Sequence, residues 1–289
     1  MRKLCVSSVL GCVLVLFAGS RSEGQDGKQN PSTISVVDTS KIQVITVGDG
    51  STLIGRVVRV GADSVEVETS GARVTLSRAA IRSVTVRPAS AIRNGEYWVQ
   101  NPNTSRLLFG PTGQTLKRGE GYVADFELVF LGGAYGVSDN ITIGGGVLLP
   151  SPGTVYFITP KIGFSPSPKV HLATGAILIG LTGGSESIGV YYGAGTFGDA
   201  DQSITAGLGY GFSGTDVASQ PVFMIGGEKR FSNRMAVVTE NYLVPDLNPL
   251  LAVGIRFIGE KLSADLGVMQ VSDSGHSTTV PLINFMAKF

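Results

Sequence analysis

Apolar and polar residues alternate in short segments over the last two thirds of the chain, and each segment ends at a cluster of Gly, Pro, Asn, Asp or Ser. A period of two is the pattern of a β-strand with one apolar face, and such clusters are typical of turns. Most segments have the roughly 9–11 residues of a membrane-crossing strand. The predicted strands are Arg106–Gly110, Tyr122–Leu131, Ile141–Leu149, Val155–Phe164, Val170–Ile179, Ile188–Phe197, Ile204–Phe212, Val222–Phe231, Met235–Val244, Leu250–Ile258, Leu262–Val271 and Val280–Phe289.

The connections between these strands alternate between tight and long. The tight ones are 138–140, 198–201, 232–233 and 259–261. The mostly longer ones are 150–154, 181–187, 213–220, 245–248 and 272–279. Short periplasmic turns and longer outer loops are typical of outer-membrane barrels. We therefore predict an all-β protein in which residues 105–289 form an antiparallel transmembrane β-barrel of about 12 strands, with its C-terminus in the periplasm.

A separate run of five short strands precedes the barrel. They are predicted at Gln43–Val47, Thr52–Val60, Ser64–Thr69, Arg73–Leu76 and Ile81–Val86. The stretch DGSTLIGRVVRVGADSVEVET resembles the glycine-punctuated, bent second strand of Sm-like domains. Residues 41–87 are thus predicted to form a small periplasmic SH3-like or Sm-like β-barrel, between a flexible linker at 21–40 and a second linker at 88–104. Its alternative roles are contact with peptidoglycan, docking of a periplasmic protein, or a structural collar.

The N-terminus has the order of a secretory signal peptide. Arg2 and Lys3 precede an apolar run that ends at Ala18, where a small-residue cleavage site and a polar stretch follow. The run is shorter than the ~20 residues of a spanning helix, so residues 1–20 are predicted to be removed on export. A lipid-attachment box at Cys12 is the alternative, although the apolar core continues beyond it. Both cysteines lie in this segment, which excludes thiol chemistry and disulfides from the mature chain.

Composition narrows the class of partner. The formal net charge is +1, so there is no electrostatic reason to expect nucleic acid as a partner. With 40 glycines, 16% charged residues and a mean hydropathy of +0.24, the chain is apolar, yet it has no long apolar stretch after the signal. A barrel that places its apolar residues on strands accommodates this composition. The expected partners are outer-membrane lipids and the barrel-assembly machinery.

Alternation also assigns the two faces of the predicted strands. Val253 and Ile255, for example, share one face of their strand, and Arg256 lies on the other. A charge on the lipid face near the bilayer midplane costs about 2–4 kcal/mol, so the charged faces are predicted to line the lumen. The predicted lumen-facing charges are Asp125, Glu127, Lys161, Glu228, Arg230, Glu240, Arg256 and Asp265. Because both signs are present, a structural ion-pair network is favoured, with a solute-selecting pore lining as the alternative.

No constellation of residues predicts a catalytic centre, a cofactor site or a metal site. His171 and His276 are the only histidines, which is too few for a typical zinc site. Neither has a visible partner that would orient it as the base of a serine hydrolase. We therefore predict a non-enzymatic structural scaffold or a narrow passive porin. The alternatives are an outer-membrane lipid-modifying hydrolase, which requires one of these histidines, and a surface adhesin that acts through outer loops such as 213–220.

The last strand and several shorter stretches carry a family resemblance. The chain ends in a periodic strand that contains Phe285 and the terminal Phe289, similar to the C-terminal signal read by the barrel-assembly machinery. The stretches NPNTSRLLFGPTGQTLKRGEGY, YGVSDNITIGGG, GAGTFGDAD, GGEKRFSN and TEN resemble a group of Gram-negative outer-membrane barrel proteins that carry an N-terminal Sm-like or SH3-like β domain. The resemblance implies a fold and a location, and no activity.

Overall fold

The computed structural model describes residues 28–29, 34–184, 187–245, 247–273 and 276–289. Its regular structure is almost entirely β, with short 3-10 helices at Arg78–Ala80 and Ala89–Ala91. The predicted signal peptide at 1–20 lies outside the described residues, as does most of the predicted linker at 21–40. Within the described part, no helix has the length and apolar character needed to cross a membrane.

The N-terminal part forms one antiparallel sheet of six strands. They are β1 (Lys28–Gln29), β2 (Lys41–Val47), β3 (Thr52–Val60), β4 (Ser64–Glu68), β5 (Arg73–Ser77) and β6 (Ile81–Pro88). Their order is β1-β6-β2-β3-β4-β5, so β1 and β5 are the two edges. The five predicted strands are present, but the sheet is open, whereas the predicted SH3-like or Sm-like barrel would be closed. We call residues 34–88 the small domain.

The core of the small domain draws on a residue that was predicted to be in a flexible linker. Ile34 is buried with Ile45, Val57 and other apolar residues of the sheet. The amide of Gln43, also buried, accepts a hydrogen bond from the Val57 backbone N–H at 2.8 Å and donates one to the Ser35 carbonyl at 2.9 Å. The β3–β4 register shifts after Val57, and Ser35 lies outside the strands. The linker prediction is therefore wrong for this stretch.

The segment predicted as a linker at 88–104 contains a small hairpin. Its strands are β7 (Ile92–Arg93) and β8 (Glu96–Tyr97). The turn between them is Asn94-Gly95, with φ angles of 53° and 79°. Asn and Gly tolerate this left-handed conformation best, which explains why these two residues form the turn.

The C-terminal part is a closed antiparallel barrel of twelve wall strands. They are β9 (Gly121–Phe126), β10 (Phe130–Ser138), β11 (Ile141–Leu148), β12 (Val155–Ser167), β13 (Val170–Leu181), β14 (Ser187–Gly198), β15 (Gln202–Ser213), β17 (Val222–Ser232), β18 (Met235–Leu243), β19 (Leu250–Ile258), β20 (Leu262–Asp273) and β21 (His276–Lys288). Each wall strand pairs with its neighbours along the chain, and β21 pairs with β9 to close the ring. The two-residue strand β16 (Asp216–Val217) folds back onto the end of β15.

The predicted twelve-stranded barrel is confirmed, but its first strands are assigned differently. Arg106–Gly110 is not a wall strand. The predicted strand Tyr122–Leu131 is instead interrupted by a turn at Glu127 and Leu128, whose φ angles are 57° and 56°, and becomes β9 and the start of β10. The total stays at twelve because one predicted strand is lost and another is split.

The two ends of the barrel differ in the length of most of their connections, as predicted. The predicted longer connection 272–279 is the exception, because β20 extends to Asp273 and β21 begins at His276. We call one end the turn end, since it carries the tight connections 139–140, 168–169, 199–201, 233–234 and 259–261. The chain also enters and leaves the barrel there. The opposite end, the loop end, carries most of the longer connections.

The outer face of the wall is apolar. Its exposed large side chains include Tyr135, Ile143, Ile162, Phe164, Ile204, Phe223, Ile225, Val253 and Leu266. A continuous exposed apolar surface of this kind is unfavourable in water and matches the hydrocarbon core of a bilayer. We therefore treat the wall strands as membrane-spanning.

Candidate functional site

Residues 101–116 run through the interior of the barrel, and we call them the inner segment. The wall residues that hydrogen-bond to it come from all round the ring and are Thr142 (β11), Lys161 (β12), Thr196 (β14), Glu228 (β17), Glu240 (β18), Arg256 (β19) and Asn284 (β21). Leu107 and Leu108 of the segment are buried, as is Asn103. The inner segment therefore fills the lumen between the turn end and the middle of the wall.

The inner segment folds into a compact turn rather than a strand of the wall. The Leu107 N–H donates to the Gly110 carbonyl at 2.9 Å, and the Thr112 N–H donates to the Ser105 carbonyl at 3.2 Å. A single bridge joins Arg106 and Pro111. The apolar stretch Arg106–Gly110 has half the length of a membrane strand and is followed at once by proline, which is the sequence signal against a spanning strand.

Arg256 is the centre of the charged layer in the lumen. Its guanidinium is fully buried and uses all five N–H donors. Two go to Asp265 at 2.7 and 3.0 Å, and one goes to Glu228 at 2.5 Å. The remaining two go to the Asn103 carbonyl at 3.0 Å and the Leu107 carbonyl at 2.7 Å. Arg256 thus joins three wall strands to the inner segment.

Glu240 holds the tip of the inner segment through backbone donors. Its carboxylate accepts from the N–H groups of Phe109 and Gly110, both at 2.9 Å. It also accepts from the Tyr242 hydroxyl at 2.6 Å. Buried backbone N–H groups need partners, and here a fully buried carboxylate accepts from them.

Lys161 binds the opposite side of the inner segment. Its ammonium group donates to the Ser105 carbonyl at 2.8 Å and the Gln114 carbonyl at 2.6 Å. Thr196 accepts from the Gly113 N–H at 2.9 Å. Most of these contacts use backbone atoms of the inner segment. The wall therefore binds its backbone conformation more than its side chains.

The predicted inward position of Asp125 is wrong. Its neighbour Phe126 points into the lumen, where the Arg106 guanidinium lies 4.6 Å from the ring centroid. Asp125 is the cross-strand partner of Phe285, whose side chain is 47% exposed on the outer face. The inner segment supplies an apolar and cationic surface inside the barrel, so the aromatic face of β9 turns inward there.

Glu127 lies in the turn after β9 and belongs to the seam of the barrel, not to a lumen lining. Its N–H donates to the Ile283 carbonyl at 2.8 Å, and its carboxylate accepts from the Ile283 N–H at 3.1 Å. Glu127 and Ile283 therefore exchange two hydrogen bonds, as a cross-strand pair would, one residue beyond the end of β9.

Arg230 lies at the turn end and connects the barrel to the segment after the small domain. It donates to the Val99 carbonyl at 2.7 Å and to Asp201 at 3.1 Å. The guanidiniums of Arg93 and Arg230 lie over the Trp98 ring, 4.7 and 4.8 Å from a ring centroid. These two cation–π contacts hold the indole at this junction.

A second group of contacts joins the small domain directly to the barrel. Glu260, in the turn after β19, accepts from the Tyr97 hydroxyl at 2.8 Å and from Arg87 at 3.1 Å. Burial raises the pKa of Tyr97, so the hydroxyl stays protonated and remains a donor. An apolar cluster that includes Val44 and Ile258 packs beside it.

The two C-terminal phenylalanines lie at the seam. Phe289 pairs with Gly121 through two backbone hydrogen bonds of 2.9 and 3.3 Å, and so closes the ring at the turn end. Phe285 lies on the outer face beside β9. Their role as an insertion signal stays a prediction.

One serine–histidine contact lies near the turn end. Ser165 Oγ is 2.7 Å from His171 Nδ1. Nucleophilic catalysis also requires a group that orients the imidazole, and among the described residues no carboxylate hydrogen-bonds to the His171 ring. The side chain of His276 lies outside the described part. The contact is therefore no argument for a hydrolase.

No protein-family model matches the chain, and no curated protein matches it at a significant level. Solved structures that resemble it include the KdgM porin in complex with disordered oligogalacturonate, at 10% identity over 59% of this chain and 98% of that chain, with a TM-score of 0.45. OmpT of Vibrio cholerae shows 11% identity over 88% of this chain and 99% of that chain, with a TM-score of 0.30. OccK11 of Pseudomonas aeruginosa shows 10% identity over 86% of this chain and 94% of that chain, with a TM-score of 0.33. The barrel assignment itself is based on the strand pairing described above.

Proposed function

We propose that this protein is an outer-membrane barrel closed by its own inner segment, which holds the small domain at the periplasmic end. The apolar outer wall, the alternation of tight and long connections and the predicted signal peptide support the location. Of the two roles predicted from the sequence, a structural scaffold and a narrow passive porin, the filled lumen favours the scaffold.

The bonding of Arg256 is the observation that carries this proposal. An arginine that lines a pore keeps donors available for water and passing solutes. The five donors of Arg256 are all bound to protein, and two of them hold backbone carbonyls of the inner segment. A solute could pass only if these bonds, and those of Glu240 and Lys161, were broken.

Conductance in a planar bilayer tests the proposal. We expect the wild-type protein to give no persistent open-channel steps. The double variant Lys161→Ala/Glu240→Ala removes clamps on two sides of the inner segment and is expected to give repeated openings. Lys229→Ala is the control, because Lys229 is exposed on the outer face. Stable open channels in the wild type would favour the porin over the scaffold.

Limited proteolysis tests how the small domain is held. Trp98→Ala removes the ring that both Arg93 and Arg230 contact, so we expect faster cleavage within the connection between the small domain and the barrel. Arg82→Ala, an exposed change in β6 away from the junction, is the control. Equal cleavage rates for the two variants would show that the junction does not depend on Trp98.

A further inference from the structure

The half of the lumen towards the loop end is lined by apolar side chains, and we call it the apolar cup. Phe130 and Phe157 meet there edge to face, with ring centroids 6.5 Å apart. Ile179 is the cross-strand partner of Phe157, and Ile188 is the partner of Ile179, so they share this inner face. Phe130 is 39% exposed and Ile188 is 51% exposed, although neither faces the lipid side.

The cup has a closed floor. Phe109 at the tip of the inner segment packs with Met224, Tyr242, Met269 and Leu282 from the surrounding wall. The carboxylate of Glu240 lies in this floor, bound to three donors. The cup is therefore separated from the charged layer around Arg256.

The described wall side chains add no charge to the cup. Among wall positions whose side chains are described, those that alternate inward on the loop-end side of Glu240 include no Asp, Glu, Lys or Arg. The charged wall residues of the lumen whose side chains are described lie at the level of Glu240 or nearer the turn end. An apolar solute would bury surface against this lining.

The wall has a notch beside the cup. β9 ends at Phe126, opposite Asn284, whereas β21 continues to His276. In the described chain, residues 277–282 of β21 pair with β20 on one side and with no strand on the other. The wall is therefore lower at the β9–β10 hairpin than at the adjoining β20–β21 hairpin.

Two residues reduce the number of unpaired donors at the edge of β21 beside the notch. The Ile283 N–H, which points to this side, is bound by the Glu127 carboxylate at 3.1 Å. Pro281 is the next residue whose N–H would point the same way, and proline has none. An open edge in a membrane is costly when its donors are unpaired, so these two residues lower the cost of keeping the notch.

We propose that the apolar cup binds an uncharged aliphatic chain that enters sideways through the notch from the loop-end leaflet. The cup supplies the apolar lining, the notch supplies a path from the hydrocarbon phase, and the inner segment prevents passage towards the turn end. This inference goes beyond the scaffold role, and only the blocked passage towards the turn end rests on the closed lumen proposed above.

Fluorescence quenching in lipid vesicles tests the inference. Trp98 is the one tryptophan of the chain, so a Trp98→Phe background with Phe157→Trp places a single reporter in the cup. One arm uses phospholipids brominated on their acyl chains; the other uses bromododecane in vesicles of unmodified phospholipid. We expect the reporter to be quenched in at least one arm. Quenching by the phospholipid identifies a lipid tail, and quenching by bromododecane alone identifies a free neutral chain.

Two glycine variants distinguish entry into the cup from quenching through the wall. A Cβ at Gly211, on the inner face, meets no atom nearer than 3.9 Å, and one at Gly193, on the outer face, meets none within 4 Å. Both therefore accept a side chain, and heat-modifiable migration verifies that each variant folds. Gly211→Phe fills the cup and is expected to abolish most of the quenching, whereas Gly193→Phe leaves it unchanged. Equal effects of the two variants, or quenching by water-soluble acrylamide alone, would overturn the inference.

Discussion

Arg256→Met should lower the temperature at which the folded barrel converts to its unfolded form on a gel more than any other single change described above. Methionine keeps much of the volume but none of the five hydrogen bonds. It leaves the buried carboxylates of Glu228 and Asp265 without their shared cation. Breaking a buried ion pair from one side typically costs about 3–5 kcal/mol.

The control for this measurement is Lys229→Met. It also replaces a positively charged residue with methionine, but at an exposed position on the outer face of β17. We expect its unfolding temperature to stay close to that of the wild type. If both variants unfolded at the same temperature, the ion network in the lumen would contribute little to stability.

Val253→Arg should strongly reduce insertion into lipid vesicles. Val253 is 46% exposed on the outer face of β19, three residues before Arg256. An arginine on the lipid face near the bilayer midplane costs about 2–4 kcal/mol. The measurement is the fraction of protein that shows heat-modifiable migration after folding into vesicles, with Val253→Leu as the control.

The two variants together test the assignment of faces in β19. If Val253→Arg inserted normally while Arg256→Met remained as stable as the wild type, the alternation in this strand would be one residue out of register. The assignment of Arg256 to the lumen would then have to be withdrawn.

The alternation of apolar and charged residues predicted most of the wall. Its period of two is forced by the pleat of a strand, so one charged residue in an otherwise apolar strand identifies the inner face. Lys161, Glu228, Arg230, Glu240, Arg256 and Asp265 are all buried, with partners in the inner segment, at the junction or in neighbouring strands. Their function beyond holding these partners stays a prediction.

The inner segment could not be predicted from alternation, because it has no regular period. Its stretch Arg106–Gly110 is apolar enough to be mistaken for a short strand, and its contacts with the wall are made mainly by backbone atoms. The same omission caused the error at Asp125. Without a partner inside the barrel, an aromatic residue such as Phe126 is expected to face lipid.

In the small domain, the sequence pattern predicted the strands but not whether their sheet closes into a barrel. Turns and apolar alternation predicted its strands, but closure of a sheet depends on pairing between its first and last strands. Here β1 pairs with β6, and β5 remains an edge. Which strands meet across a sheet is a long-range property that local periodicity does not contain.

The position of the inner segment in the chain has a consequence for biogenesis. The segment precedes β9, and its contacts reach Asn284 in β21, the last strand to be synthesised. The segment contacts β21 and leads into β9, so its docking and the closure of the ring involve the same two strands. Docking and closure are therefore coupled steps of assembly, in which the strands enclose a scaffold supplied by the same polypeptide. A delay in placing that scaffold would leave an unfinished ring with exposed edges, the species that is most prone to aggregate.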